Sequence, residues 1–134
     1  RLTLEAMLRL CAARLLVRLV PLRLWRGRLG QLAPAAAGTA EPADTAAAAQ
    51  ARRLALHVER AAARLPFQTK CLPRAIALAR MLQARRQPYT LRIATLPAHE
   101  RGGSNDLHAW VEVNGVKVIG DLPGNWVVIV NLIN

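Results

Sequence analysis

Residues 107–121 read LHAWVEVNGVKVIGD, from Leu107 to Asp121, and this stretch decides the fold. Asn114-Gly115 stands between two runs rich in Val and Ile. A two-residue turn of that kind needs positive φ at both positions, which Asn and Gly tolerate, so the stretch predicts a β-hairpin. Val113 then closes against Val116, and the register follows outward. Glu112 opposes Lys117, Val111 opposes Val118, Trp110 opposes Ile119, Ala109 opposes Gly120, and His108 opposes Asp121. The opposite charges of Glu112 and Lys117 suit cross-strand neighbours. His108 and Asp121 fall at a non-hydrogen-bonded position, where opposed Cβ atoms lie roughly 4.5–5.5 Å apart. A carboxylate at that distance fixes an imidazole tautomer and presents the other ring nitrogen to a nucleophile. The count holds as long as no bulge near Gly120 shifts the register.

Working outward, Tyr89–Thr95 (YTLRIAT) and Trp126–Ile133 read as further strands, with a polar loop over 96–106 that holds His99, Glu100 and Gly102-Gly103. The N-terminal half has helical period instead. Residues 3–20 predict a helix with Thr3 as its N-cap and Pro21 as its stop, and Leu22–Leu29 predicts a short additional turn. Residues 31–44 (QLAPAAAGTAEPAD) read as a linker. A second helix is expected over Thr45–Leu65, with Leu54, Val58, Ala61 and Leu65 on its apolar stripe. Its Arg53, His57, Arg60 and Arg64 form a parallel solvated stripe, so His57 is expected on the surface. A third helix runs from Cys71 to about Arg86, with Pro73 in the first turn and Arg85 and Arg86 at the negative end. Helices followed by antiparallel strands make the fold class α+β, in one domain: residues 1–30 a helical lead-in, 31–44 a linker, 45–134 the core.

Cys71 is placed for chemistry at the start of the third helix. Outward-pointing N–H groups and the positive dipole end favour a thiolate there and can hold the oxyanion of a tetrahedral intermediate. Lys70 and Arg74 add positive charge, and Gln68 is a candidate side-chain donor. Cys11, in mid-helix among Leu and Ala, reads as a small buried hydrophobe.

Composition sets the outer bounds. The chain has 134 residues, 53% of them apolar, but only three Trp, one Tyr and one Phe, so its core is aliphatic. Two cysteines are too few for a disulfide scaffold and imply thiols in a reducing cytoplasm. With no CxxC pair and no HExxH motif, neither a metal nor a cofactor is expected. Net charge is +11, of which residues 1–30 supply seven Arg against one Glu. Such a balance favours an anionic partner, and residues 1–30 are a candidate for peripheral membrane contact. Nucleic acid is not expected, because aromatic residues to stack on bases are scarce and no nucleic-acid module is visible. Leu4–Val20 carries Arg9, Arg14 and Arg18, too many charges for a span. The first residue is Arg, so the chain reads as a fragment or a processed product.

Leu65–Ile93 (LPFQTKCLPRAIALARMLQARRQPYTLRI) followed by HAWVEVNGVKVIGD resembles the leader-peptidase B proteins of lasso peptide biosynthesis. The resemblance covers about residues 50–121. It implies a transglutaminase-like, papain-related core in which a helix carrying the Cys packs on an antiparallel sheet. It also implies a Cys71, His108 and Asp121 triad; Trp110, on the strand face of His108, and Gln68, three residues before Cys71, are candidate substrate-binding residues. The implied activity is removal of a leader from a ribosomally made precursor, before an asparagine-synthetase-like cyclase closes the macrolactam. A leader-recognition domain, separate or N-terminally fused, would be a further partner. Any ATP dependence lies with a partner, since no GxxxxGK[ST] loop is present. The alternatives are another transglutaminase-like hydrolase or acyltransferase, and a non-catalytic Arg-rich module that binds a leader or a membrane.

Overall fold

Hydrophobic period separates helices from strands along the chain, and the computed structural model follows that division. It describes residues 2–20, 31–33, 45–66, 70–95, 107–120 and 127–133. In order these form α1 (Leu2–Leu19), β1 (Gln31–Ala33), α2 (Ala46–Arg64), α3 (Cys71–Ala84), β2 (Thr90–Thr95), β3 (Leu107–Val113), β4 (Val116–Ile119) and β5 (Val127–Ile133). The strands make one antiparallel sheet in the order β1-β5-β2-β3-β4. The expected α+β class is what the chain adopts. The short turn of helix expected over Leu22–Leu29 lies outside the described residues.

The sheet and the helices share one apolar core. Leu91 and Ile93 of β2, Ala109, Val111 and Val113 of β3, Ile119 of β4 and Leu132 of β5 meet Ala6 and Leu10 of α1, Leu54 and Val58 of α2, and Ile76, Leu78 and Leu82 of α3. On α3 nearly every side is covered, because α1, α2 and β3 all pack against it. Its run of small residues (Ala75, Ala77, Ala79) lets these neighbours come close. Burial of each full-length aliphatic side chain such as Leu78 contributes about 1.5–3 kcal/mol.

Sequence and structure agree on α2, whose predicted stripe of Leu54, Val58 and Ala61 is buried. Thr45 caps it: the Ala48 N–H donates to Thr45 Oγ1 at 3.1 Å. The same oxygen takes a 2.8 Å hydrogen bond from Asn114 Nδ2, so the hairpin turn is tied to the helix start. Thr45→Ala removes both contacts and is expected to cost about 1–2 kcal/mol, read as a lower urea midpoint with unchanged slope.

Four expectations need correction here. Gln31–Ala33 is not linker but strand β1, paired with Asn131–Ile133 of β5. Three residues between Gly30 and Pro34 carry too little period to show a strand, and only the distant partner defines it. Thr3 is not an N-cap: α1 already begins at Leu2, and the Thr3 hydroxyl shares a 2.9 Å hydrogen bond with His57 Nδ1. His57 is therefore half-buried between α1 and α2 rather than fully on the Arg face. Its pKa is lowered, first by burial and then by Arg60 and Arg53, which favours the neutral ring that Thr3 can donate to. Cys11 is likewise half-buried rather than fully enclosed, because Ala6, Leu10 and Ala13 are the α1 residues that lie fully inside the core.

The far end of α3 is held to α1. Arg85 donates to Glu5 through two nitrogens, at 3.1 and 2.8 Å, and caps the helix by a 3.0 Å bond to the Met81 carbonyl. Arg85 hydrogen bonding, followed by the attraction of Arg85 and Arg9, holds the Glu5 carboxyl below its usual range against a smaller opposing effect of burial.

Candidate active site

Cys71 is the first residue of α3, as its sequence position predicts. Lys70 caps the helix in extended conformation without a side-chain hydrogen bond, and Pro73 sits buried in the first turn. The thiol is half-buried and packed against the rim of the core. In a first helical turn the N–H groups point out of the helix, so those of Cys71 and Leu72 are oriented as oxyanion donors would be, and Pro73 supplies none. One expected contribution is redirected. Arg74 forms a 3.0 Å ion pair with Glu59 of α2, so its charge is shared with a carboxylate and does not serve the thiol alone.

His108 lies near the start of β3, and α3 packs on β3, which makes the two supporting elements neighbours. Alternation along β3 puts His108, Trp110 and Glu112 on one face and Ala109, Val111 and Val113 on the other. The second set is the one buried in the shared core.

The hairpin turn forms as expected, with positive φ at Asn114 and Gly115, and with Val113 opposite Val116 and Glu112 opposite Lys117. Beyond that pair the expected register fails. Val111 opposes Ile119, so Val118 is an extra residue in β4. Side-chain burial explains the bulge. Unbulged pairing would place Ile119 on the polar face opposite Trp110. With the bulge Ile119 is 6% exposed in the core, and Val118 still packs against it. The unbulged count behind the expected His108–Asp121 pairing therefore does not hold beyond Glu112.

What meets His108 instead is backbone. Its Nε2–H donates to the carbonyl oxygen of Gly120. Gly120 has φ +79°, and a Cβ there would lie 2.4 Å from the Ala109 carbonyl oxygen. Only glycine can follow the bulge this closely past β3, and in doing so it turns its carbonyl to the imidazole. With Nε2 protonated, Nδ1 is the basic ring nitrogen. Asp121 and Gln68, and the loop residue His99, lie outside the described residues.

Trp110 stands beside His108, ring centroids 5.9 Å apart and planes tilted by 33°. It is 6% exposed. Its Nε1–H donates to Glu112 Oε2 at 2.8 Å, and Lys117 Nζ lies 5.0 Å from the ring centroid. Glu112 Oε2 is also 2.6 Å from Arg92 Nε, and both of these side chains are almost fully enclosed. Sequence reasoning read Glu112 only as the partner of Lys117 and gave Arg92 no role. The available signal was an Arg in mid-strand among apolar neighbours, directly opposite Trp110 once β2 and β3 are paired.

Among the described residues no group of three or more His, Cys, Asp or Glu could hold a metal ion. No described helix is long and apolar enough to cross a membrane.

No curated protein and no solved structure matched the sequence. The description of the transglutaminase-like superfamily, which includes cysteine peptidases and acyltransferases, matched residues 16–130. That span takes in the larger part of α1's last turn, every later element up to β5, and both Cys71 and His108, so the chain belongs to the transglutaminase-like superfamily.

Proposed function

We infer that this protein is a cysteine peptidase that removes the leader from a ribosomally synthesised lasso peptide precursor before macrolactam closure. The observation that carries this reading is Cys71 at the start of the central helix of a transglutaminase-like domain, with that helix packed on the strand of His108. The run of Cys-Leu-Pro-Arg, then an Ala/Leu helix, then His-Ala-Trp-Val-Glu-Val supports the narrower assignment to leader peptidases.

In this mechanism the Cys71 sulfur attacks the carbonyl carbon of the leader–core peptide bond. Negative charge on the carbonyl oxygen is met by N–H groups of the first turn of α3. His108 takes the thiol proton at Nδ1 and gives it to the leaving amine as the C–N bond breaks, leaving a thioester. It then removes a proton from water, which attacks the thioester and releases the carboxylate and the thiol. The Gly120 carbonyl fixes the tautomer from the other side of the ring, and Asp121, the next residue, stabilises the imidazolium that forms at each step. His108 is the second residue of β3, so the reaction centre belongs at that end of the strand.

The experiment is incubation of the purified chain, with and without its leader-recognition and cyclase partners, with the precursor encoded beside its gene. Cleavage at one leader–core bond is expected, and His108→Ala should slow it by about 10³-fold or more. An uncleaved precursor in the presence of all partners, or a His108→Ala rate equal to wild type, contradicts the assignment.

A further inference from the structure

We propose that Glu112 is a positioning residue for His108, acting through Trp110. The proposal rests on the peptidase reading above for its consequence in catalysis, but its geometry stands in the fold itself.

A histidine on a strand face has two soft torsions, and the hydrogen bond from Nε2 to the Gly120 carbonyl fixes one ring nitrogen, while the tilt of the ring plane depends on what packs beside it. A general base needs its reactive nitrogen within a narrow cone. Beside the ring stands Trp110, two residues along β3. An indole restrains its neighbour only if it is itself restrained. Three contacts do this: Nε1–H is taken by Glu112 Oε2 at 2.8 Å, Lys117 Nζ approaches the ring at 5.0 Å, and the neighbouring strand supplies Arg92 opposite Trp110. Arg92 in turn is 2.6 Å from Glu112 Oε2, so the carboxylate is anchored as well as anchoring.

Burial argues that this device is more than a surface ion pair. The side chains of Arg92 and Glu112 are 6% and 13% exposed. Two charges withdrawn from water to that extent cost free energy that apolar residues of the same size would not, so they are poor evidence for stability. What they supply is a fixed acceptor at one point in space. That point is where the indole N–H arrives. A carboxylate accepting from the indole also makes its ring a better neighbour for a cation, and the imidazolium formed during acyl transfer lies within the distance at which such contact is favourable. The order of action is therefore Arg92 to Glu112, Glu112 to Trp110, Trp110 to His108.

The test uses the full chain and two readouts. The first is hydrogen exchange of the His108 Nε2–H, observed by NMR with nitrogen-labelled histidine. The second is the rate of Cys71 alkylation by iodoacetamide, resolved from Cys11 by mass spectrometry. Trp110→Phe keeps the Arg92–Glu112 pair and most of the packing but deletes the indole N–H. It should speed His108 Nε2–H exchange and slow Cys71 alkylation, each by about tenfold. Glu112→Gln retains an acceptor oxygen and should stay within about threefold of wild type, whereas Glu112→Met should match Trp110→Phe. In the Trp110→Phe background, Glu112→Met should add nothing further to either readout. Should Glu112→Met fail to fold, Trp110→Phe alone decides. Unchanged His108 exchange in Trp110→Phe, or equal effects of Glu112→Met with and without Trp110, overturns the proposal. Because the exchange readout needs no precursor, it separates this proposal from the peptidase reading, which stands or falls on precursor cleavage.

Discussion

Cys71→Ala is expected to abolish precursor cleavage, by about 10⁴-fold or more, while leaving the fold in place. The size follows from the role: no other group can form the thioester, and what remains is only the binding and oxyanion stabilisation around the site. The structural cost is small. Cys71 is half-buried at the rim of the core, and Ala is at least as good a helix residue, so the change in stability should stay within about 1 kcal/mol. Mass spectrometry of the released leader measures the rate, and a urea titration measures the fold. Residues that act as a unit are not additive, so His108→Ala in the Cys71→Ala background should lower the residual rate no further. Wild-type cleavage by a well-folded Cys71→Ala protein would overturn the cysteine-peptidase reading.

Gly120→Ala should carry a large stability effect for the addition of a single methyl group. The backbone there has φ +79°, and the new Cβ would meet the Ala109 carbonyl oxygen at 2.4 Å and the Trp110 Cα and Cβ at 3.1 Å. The first two are backbone atoms of a paired strand and cannot swing aside. Strain at such a position costs of order 1–3 kcal/mol before the clash is counted, so a loss of about 3 kcal/mol or more is expected. Relief requires β4 to move away from β3, which carries the Gly120 carbonyl away from His108 Nε2. Activity per folded molecule should therefore fall along with the urea midpoint. A full-activity, full-stability Gly120→Ala protein would mean that the bulge at Val118 is not as described.

The hairpin shows how far period and turn chemistry carry a reading, and where they stop. Asn114-Gly115 fixed the turn, and the pairs Val113–Val116 and Glu112–Lys117 followed by counting. The count failed at Val118, because register beyond the turn is set by which side chains the core will accept, and Ile119 competes for the inward place. Nothing local in VKVIGD announces that competition, although a glycine two residues past the failure is a trace of it. Helices α2 and α3 were legible because their stripes run long and their ends carry Thr45, Pro73 and Arg85 in the places that helix termini favour. Strand β1 was not, since its three residues are defined by β5, about a hundred positions later. The places of Cys71 at a helix start and His108 on a strand were legible in the sequence. The Gly120 carbonyl, Arg92 and the pairing of Glu112 with Arg92 were not, because each becomes visible only when a second strand is laid beside the first.

The position of β5 has a consequence for how the protein comes into being. This last strand lies between β1 and β2 and pairs with both. The sheet therefore stays split, with β1 unpaired and one edge of β2 open, until residues 127–133 have emerged from the ribosome. Helices and the β3–β4 hairpin can form early from local contacts, but closing the centre of the sheet requires joining segments far apart in sequence, which is slow. During synthesis the nascent chain presents an apolar strand, Thr90–Thr95, without its second neighbour, and it is in this interval that a chaperone, or a partner bound early, would have most influence on yield.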